Sequence, residues 1–151
     1  MNVSQAGAVL FACNLNKVRS PMAAGLMRRL HGDRIFIDSC GLRPADADLA
    51  DPFVAAVMDE LGVDVTGHLP KSFDDLEDES FDVVVSLTPE AHHRAGELAR
   101  CRSVEIEYWP TLDPTLAMGA RQSVLESYRA VRDALDARIH ARFPRARTFG
   151  G

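Results

Sequence analysis

An α/β fold, with an open four-stranded parallel sheet covered by helices on both faces (a three-layer αβα arrangement), is predicted by three features of the chain. Apolar strand-like runs alternate with helix-period segments four times. Three of the helices are announced by an X-Pro start, Ser20-Pro21, Asp51-Pro52 and Thr88-Pro89. The first apolar run, Ala8–Ala12, is continuous rather than alternating, as a strand buried on both faces would be. Repeated βα units of this kind close into a parallel sheet with helices packed on it.

The elements follow in order. After AVLFA at Ala8–Ala12, Ser20-Pro21 opens a helix, with Ser20 as its cap and Pro21 in the first helical position. Met22, Leu26 and Leu30 recur every four residues on one face, leaving Arg28 and Arg29 free to point outward. RIFID at Arg34–Asp38 reads as the second strand, followed by the turn Ser39-Cys40-Gly41. Asp51-Pro52 starts the second helix, whose apolar residues Val54, Val57, Met58 and Leu61 precede a stop at Gly62. FDVVVSL at Phe81–Leu87 is the third strand, and Thr88-Pro89 opens the third helix. Val104, Ile106 and Tyr108 alternate with Glu105 and Glu107, which predicts a fourth strand at an edge with one wet face. The last helix, Arg121–Arg142, carries Val124, Tyr128, Val131, Leu135 and Ile139 on one side.

The 151 residues fit a single domain over 1–151, with 144–151 as a flexible tail. A hydrophobic content of 46% and a charged content of 26% are those of a soluble globular chain. No apolar run is long enough for a membrane span, and MNVSQAGAVLFAC lacks the basic flank and cleavage site of a signal peptide, so a cytoplasmic protein without a membrane partner is expected. The net charge of -5 argues against nucleic acid as a partner, and the basic residues Arg142, Arg145 and Arg147 read as a solvated end. Cys13, Cys40 and Cys101 are expected as reduced thiols. There is no Cys-x2-Cys pair, and the only neighbouring histidines, His92 and His93, are adjacent in sequence, so no metal and no other cofactor is expected. The remaining histidines, His31, His68 and His140, read as surface or packing residues.

Chemistry concentrates in Cys13-Asn14-Leu15-Asn16-Lys17-Val18-Arg19-Ser20, which leaves a buried strand and enters a helix. In an open parallel sheet, ligands bind at the carboxyl ends of the strands, where Cys13 falls. Inward-facing N–H groups of such a loop, with the positive end of the helix dipole, suit a tetrahedral dianion. Arg19 offers a planar fork to two of its oxygens. Such surroundings favour a thiolate, and Ser20 can donate its hydroxyl to the sulfur, so Cys13 reads as a nucleophile aimed at phosphorus. A cysteine with arginine six positions later is a weak signal alone. Cys13 is the only one of the three with that partner, since Cys40 and Cys101 are followed at that distance by Asp46 and Glu107. The plain alternative is a strand-end cysteine and a surface arginine. Asp113-Pro114, after the fourth strand, is the candidate general acid for a leaving oxygen. Asp-Pro is also a common turn, and Asp51-Pro52 looks the same locally. Helix capping accounts for Asp51, whereas Asp113 lies several residues before its helix.

With these residues in place, the chain resembles the low-molecular-weight protein tyrosine phosphatase family over nearly its whole length. CNLNKVRSP is similar to that family's Cys-x2-Asn-x2-Arg-Ser loop, and Asp113-Pro114 to its late acid motif. The resemblance implies a phosphocysteine on Cys13, a loop from Asn14 through Ser20 holding the phosphoryl group, and Asp113 as acid and then base. It implies a phosphorylated substrate, either a phosphotyrosine protein or a small phosphomonoester. It also implies that Asn16, Ser20, Ser39 and His68 support the loop, with Asn16 in the left-handed region; an ordinary turn role remains the alternative for Ser39 and His68.

The segment Trp109-x3-Asp113-Pro114-x4-Gly119 with YRAVRDALDARI is similar to the thioredoxin-linked arsenate reductases of the same fold. Those enzymes carry two further cysteines just after the third strand, where this chain reads Ser86-Leu87-Thr88-Pro89, so arsenate reduction here would use an external thiol. A non-catalytic module that binds an oxyanion or a partner is the third reading. Thr115-Leu116 stands where the family has an aromatic pair, and Gly41-Leu42-Arg43-Pro44 lacks the other aromatic wall, which weakens the case for a phosphotyrosine ring. Trp109 is the remaining aromatic near the acid, with a packing role as its other reading.

Overall fold

A computed structural model describes residues 6–44, 50–77, 80–100 and 102–145. Four strands, β1 (Ala8–Cys13), β2 (Phe36–Gly41), β3 (Val83–Ser86) and β4 (Glu105–Tyr108), form one parallel sheet in the order β2-β1-β3-β4. Four α-helices alternate with them: α1 (Arg19–His31), α2 (Pro52–Asp59), α3 (Pro89–Ala99) and α4 (Arg121–Arg142). The predicted three-layer α/β architecture is therefore the observed one.

The sheet is buried on both sides, and the pleat divides its residues between two cores. Val9, Phe11, Cys13, Val83 and Val85 face α1, α2 and α4, together with Met22, Leu26, Val57, Leu135 and Ile139. Leu10, Ala12, Cys40 and Val84 face the other way, against Ala91 and Ala95 of α3 and against Phe73, Leu76 and Phe81. Cys13 and Cys40 thus lie on opposite faces of the sheet, although Cys13 pairs with Gly41 and Ala12 with Cys40 in the β1–β2 register.

Local signals explain most element ends. Asp51 caps α2 by accepting from the N–H groups of Phe53 (2.9 Å) and Val54 (3.1 Å). Thr88 caps α3 through Ala91 N–H at 3.1 Å. Gly62, at φ 75°, ends the α2 segment in the left-handed region that glycine enters without steric cost. β4 is an edge strand as expected, but its faces do not alternate cleanly. Glu105 and Glu107 hold the guanidinium of Arg142, while Tyr108 is exposed and stacks on His92.

Three expectations are corrected. The α1 cap is Val18, not Ser20, and Val18 offers no capping side chain. Ser20 lies inside the first turn with its hydroxyl directed into the site, so Pro21 is the third helical residue. β2 starts at Phe36, because Gly32–Arg34 forms a 3-10 turn, and it runs through Ser39, Cys40 and Gly41 rather than turning there. Those residues stay extended because they pair with Phe11, Ala12 and Cys13. Of the expected tail 144–151, residues 146–151 lie outside the described residues, as do Arg147 and Cys101. No helix among the described residues is long and apolar enough to cross a membrane.

Candidate active site

The segment from Cys13 to Arg19 turns sharply at the carboxyl end of the central strand β1 and delivers the chain into α1. Cys13 sits at its base, only 2% exposed, with Sγ 2.9 Å from the Ser20 hydroxyl. Ser20 Oγ also accepts from Asn16 Nδ2 at 2.9 Å and lies 3.3 Å from the Cys40 carbonyl. This saturates a buried hydroxyl that would otherwise be costly so close to the core.

Asn16 organises the loop. Its φ of 53° places it in the left-handed region, the one non-glycine residue there among those described. The side chain is fully buried and uses three of its four hydrogen-bonding positions. Nδ2 donates to Ser20 Oγ and Ser39 Oγ, both at 2.9 Å, and Oδ1 accepts from Lys71 N–H at 2.9 Å. The Asn16 carbonyl accepts from His68 Nε2 at 2.7 Å. A carbonyl partner requires the proton on Nε2, and burial pushes the His68 pKa down, so the ring donates as a neutral imidazole. Asn16, Ser20, Ser39 and His68 are brought together as one bonded group.

Three contacts around this loop carry no local sequence signal. Thr88 Oγ1, already the α3 cap, donates to Asn14 Oδ1 at 2.7 Å and ties the third helix to the loop. Arg43 N–H donates to the Asn14 carbonyl at 2.9 Å, and Leu42 N–H to the Cys13 carbonyl at 3.2 Å. Gly41 packs directly beneath: a Cβ there would lie 2.7 Å from Asn16 N and 2.9 Å from Asn14 O. Asp38 completes the support from outside, holding Lys71 Nζ at 2.6 Å, and Lys71 supplies the N–H that holds Asn16.

Arg19 leaves the first residue of α1 and reaches the loop after β4, donating from Nη1 to the Thr111 carbonyl at 3.0 Å. Its Nη2 lies 3.9 Å from Asp113 Oδ2. Asp113 is only partly buried, and its other oxygen, Oδ1, accepts from Thr115 N–H (3.0 Å) and Thr115 Oγ1 (2.6 Å). Asp113 therefore caps a short 3-10 turn, Pro114–Leu116, so capping does not distinguish it from Asp51. What distinguishes it is the second oxygen. Asp113 Oδ2 faces Arg19, whereas Asp51 Oδ2 accepts the hydroxyl of Tyr128 at 3.4 Å. Burial, reinforced by the Asp51 carboxylate, pushes that phenol's pKa up.

Leu15, within the loop, is 49% exposed, and Leu116, three residues after Asp113, is 77% exposed. Trp109, at 2% exposure, is a packing residue between Phe11 and Phe143. Among the described residues, no group of three or more His, Cys, Asp or Glu side chains could hold a metal ion. Burial pushes the Cys40 thiol well above the usual range, with the neighbouring Cys13 adding to the shift.

The model of the family described as low molecular weight phosphotyrosine protein phosphatase matches residues 8–142, which include every element above. Among curated proteins, the chain is 34% identical over 79 residues to the glutaredoxin arsenate reductase of Synechocystis sp., covering 52% of this chain and 58% of that one. It is 28% identical over 131 residues to the arsenate reductase of Halalkalibacterium halodurans, covering 87% and 91% of the two chains. Among solved structures, an arsenate reductase in the phosphate binding state superposes with a TM-score of 0.67 at 28% identity, over 89% of this chain and 94% of that one. The Erwinia amylovora tyrosine phosphatase AmsI shares the fold, with a TM-score of 0.71 at 18% identity over 87% of each chain. The matches carry the names of arsenate reductases and of a phosphatase, and this chain belongs to the low molecular weight phosphotyrosine protein phosphatase family.

Proposed function

We propose that the chain is a cysteine-dependent phosphomonoester hydrolase. The observation that carries this reading is the convergence of Arg19 and Asp113: a guanidinium rooted in the phosphate loop lies 3.9 Å from the free oxygen of a carboxyl group near the cysteine cup. The substrate phosphoryl group sits in the loop from Asn14 to Ser20, with its equatorial oxygens on the loop N–H groups and on Arg19, which gives up Thr111 to receive them. The Cys13 thiolate attacks phosphorus as the ester P–O bond breaks, and Asp113 delivers a proton to the departing oxygen. Ser20 holds the sulfur from its 2.9 Å position. In the second step, Asp113 takes a proton from water, the resulting hydroxide bonds to phosphorus, and the S–P electron pair returns to Cys13 as phosphate leaves. An exposed aliphatic Leu15 in the loop and Thr115-Leu116 after Asp113 offer no ring for stacking, which favours small or extended phosphomonoesters over a stacked phenyl ring.

The test is hydrolysis of p-nitrophenyl phosphate in the presence of a chelator. The parent turns it over, and Cys13→Ser and Arg19→Ala each lose the activity. Turnover that survives Cys13→Ser rejects the mechanism.

A second reading, arsenate reduction, is favoured by the names of the relatives that match over most of the chain. Cys13 would displace hydroxide from arsenate to form an S–As(V) bond. An external thiol would then attack the Cys13 sulfur, so that arsenite departs with the electron pair and a mixed disulfide remains. A second thiol would resolve it, and two thiols would become one disulfide for each arsenate reduced. Arsenate-dependent consumption of dithiothreitol, measured beside p-nitrophenyl phosphate hydrolysis, separates the two activities.

A further inference from the structure

Behind the loop that carries Asp113, a groove of about 740 Å³ runs along α4. Its walls are Pro114 and Leu116 from the loop and Ala130, Ala134 and Leu135 from the helix, with Trp109 at its floor. The volume falls in the range of roughly 300–1,000 Å³ typical of small-ligand clefts. None of the residues from Cys13 to Ser20 lines it; it meets the cup only at the loop, where Thr111 and Asp113 line its edge and also face Arg19. Along α4 it extends from Ser127 to Arg138, about 16 Å at 1.5 Å per residue.

The charges at its two ends differ. Asp113 stands at one end, and Arg138 lies toward the C-terminal end of α4. Arg138 stacks over the Trp109 ring at 5.2 Å and makes no ion pair among the described residues. Its neighbours on the helix are engaged: Arg129 and Arg132 both hold Glu60, and Arg142 holds Glu105 and Glu107. A cation left over at the rim of an otherwise apolar groove fits a ligand with an anionic head and an apolar body.

We propose that this groove binds an amphipathic monoanion of the medium-chain carboxylate class, its carboxylate on Arg138 and its chain lying between α4 and the loop 110–117. This site does not depend on which reaction the cup performs. Trp109 is the sole tryptophan of the chain and lines the groove, so its emission reports occupancy directly. The full-length protein is titrated with decanoate below its micelle concentration, with calorimetry in parallel and decanol as the probe without a charged head. The expected result is a saturable change with decanoate. Binding is weaker by about tenfold in Arg138→Gln and equally weak for decanol, the loss of one charge-assisted contact. Ala134→Phe, or the milder Ala130→Leu, fills the groove and abolishes the response while circular dichroism stays that of the parent. An absent response in the parent overturns the proposal, as does equal affinity in Arg138→Gln or binding that survives the groove-filling substitutions in a folded protein.

Discussion

Replacing Gly41 by alanine adds one methyl group at the point where β2 touches the phosphate loop. The new Cβ would stand 2.7 Å from Asn16 N, 2.9 Å from Asn14 O and 3.0 Å from Leu15 C. All three atoms are backbone, so no side chain can rotate to relieve the contact. Reaching the ordinary contact of 3.4 Å requires the loop or the strand to give way by about 0.7 Å. The strand is pinned by its register with β1 and by the Gly41 N–H bond to the Lys71 carbonyl at 2.9 Å, so the loop moves. Overpacking of this kind costs about 1–3 kcal/mol of stability. A displacement approaching 1 Å in a group that positions substrate costs up to about 10²-fold in rate. The assays are urea unfolding and p-nitrophenyl phosphate hydrolysis on Gly41→Ala, with Gly96→Ala as the control. Gly96 is within α3 and has open space around its Cβ position, so alanine there is neutral or stabilising by up to about 1 kcal/mol. Parent-like kcat/KM in Gly41→Ala would refute the claim that this strand sets the position of the loop.

Other outcomes follow from named contacts. Thr88→Val removes the α3 cap and the donor to Asn14, which lowers stability by about 1 kcal/mol and raises KM. Thr88→Ser restores both, and a KM that stays low in Thr88→Val shows the tie to be structural only. In Asp113→Asn, alkyl phosphates slow far more than p-nitrophenyl phosphate, because only the poor leaving group needs the proton; a parallel fall on both substrates contradicts the acid role. His31, buried, and His68, partly buried, each bond a backbone carbonyl through Nε2, and desolvation lowers both pKa values. The unfolded chain then binds more protons near neutrality, so stability falls as pH drops from about 6.5 toward the lowered values and is fully present above that window. The urea midpoint measured across this range checks the sign, and the slope is shallower in a His31→Gln, His68→Gln double variant.

The cup was legible in the sequence because it is contiguous. Cys13 to Arg19 lies between a five-residue apolar run and a helix of clear period, and both flanks write themselves into local pattern. The fold followed from the same alternation. Ser20 was misplaced for a physical reason: serine is a good cap and valine a poor one, yet the hydroxyl is consumed by Cys13 and Asn16. Gly41 reads as a turn residue, but its lack of a side chain serves close approach inside a strand. The bracing of the loop was legible only by resemblance. Lys71 reaches Asn16 across 55 positions and Thr88 reaches Asn14 across 74, separations that leave no trace in spacing or periodicity. The dual duty of Asp113, a turn cap on one oxygen and a partner of Arg19 on the other, needs coordinates to resolve.

The two described thiols sit one position out of step across a strand pair. Bridging them would require β2 to slip by a residue, which would turn Ile37 and Ser39 to the opposite face of the sheet and strip Asn16 of a partner. Cys40 is thus a bystander to any oxidation at Cys13. A sulfenate formed in the cup cannot be discharged onto it, and exchanging Cys40 for alanine leaves the peroxide sensitivity of the site as it was.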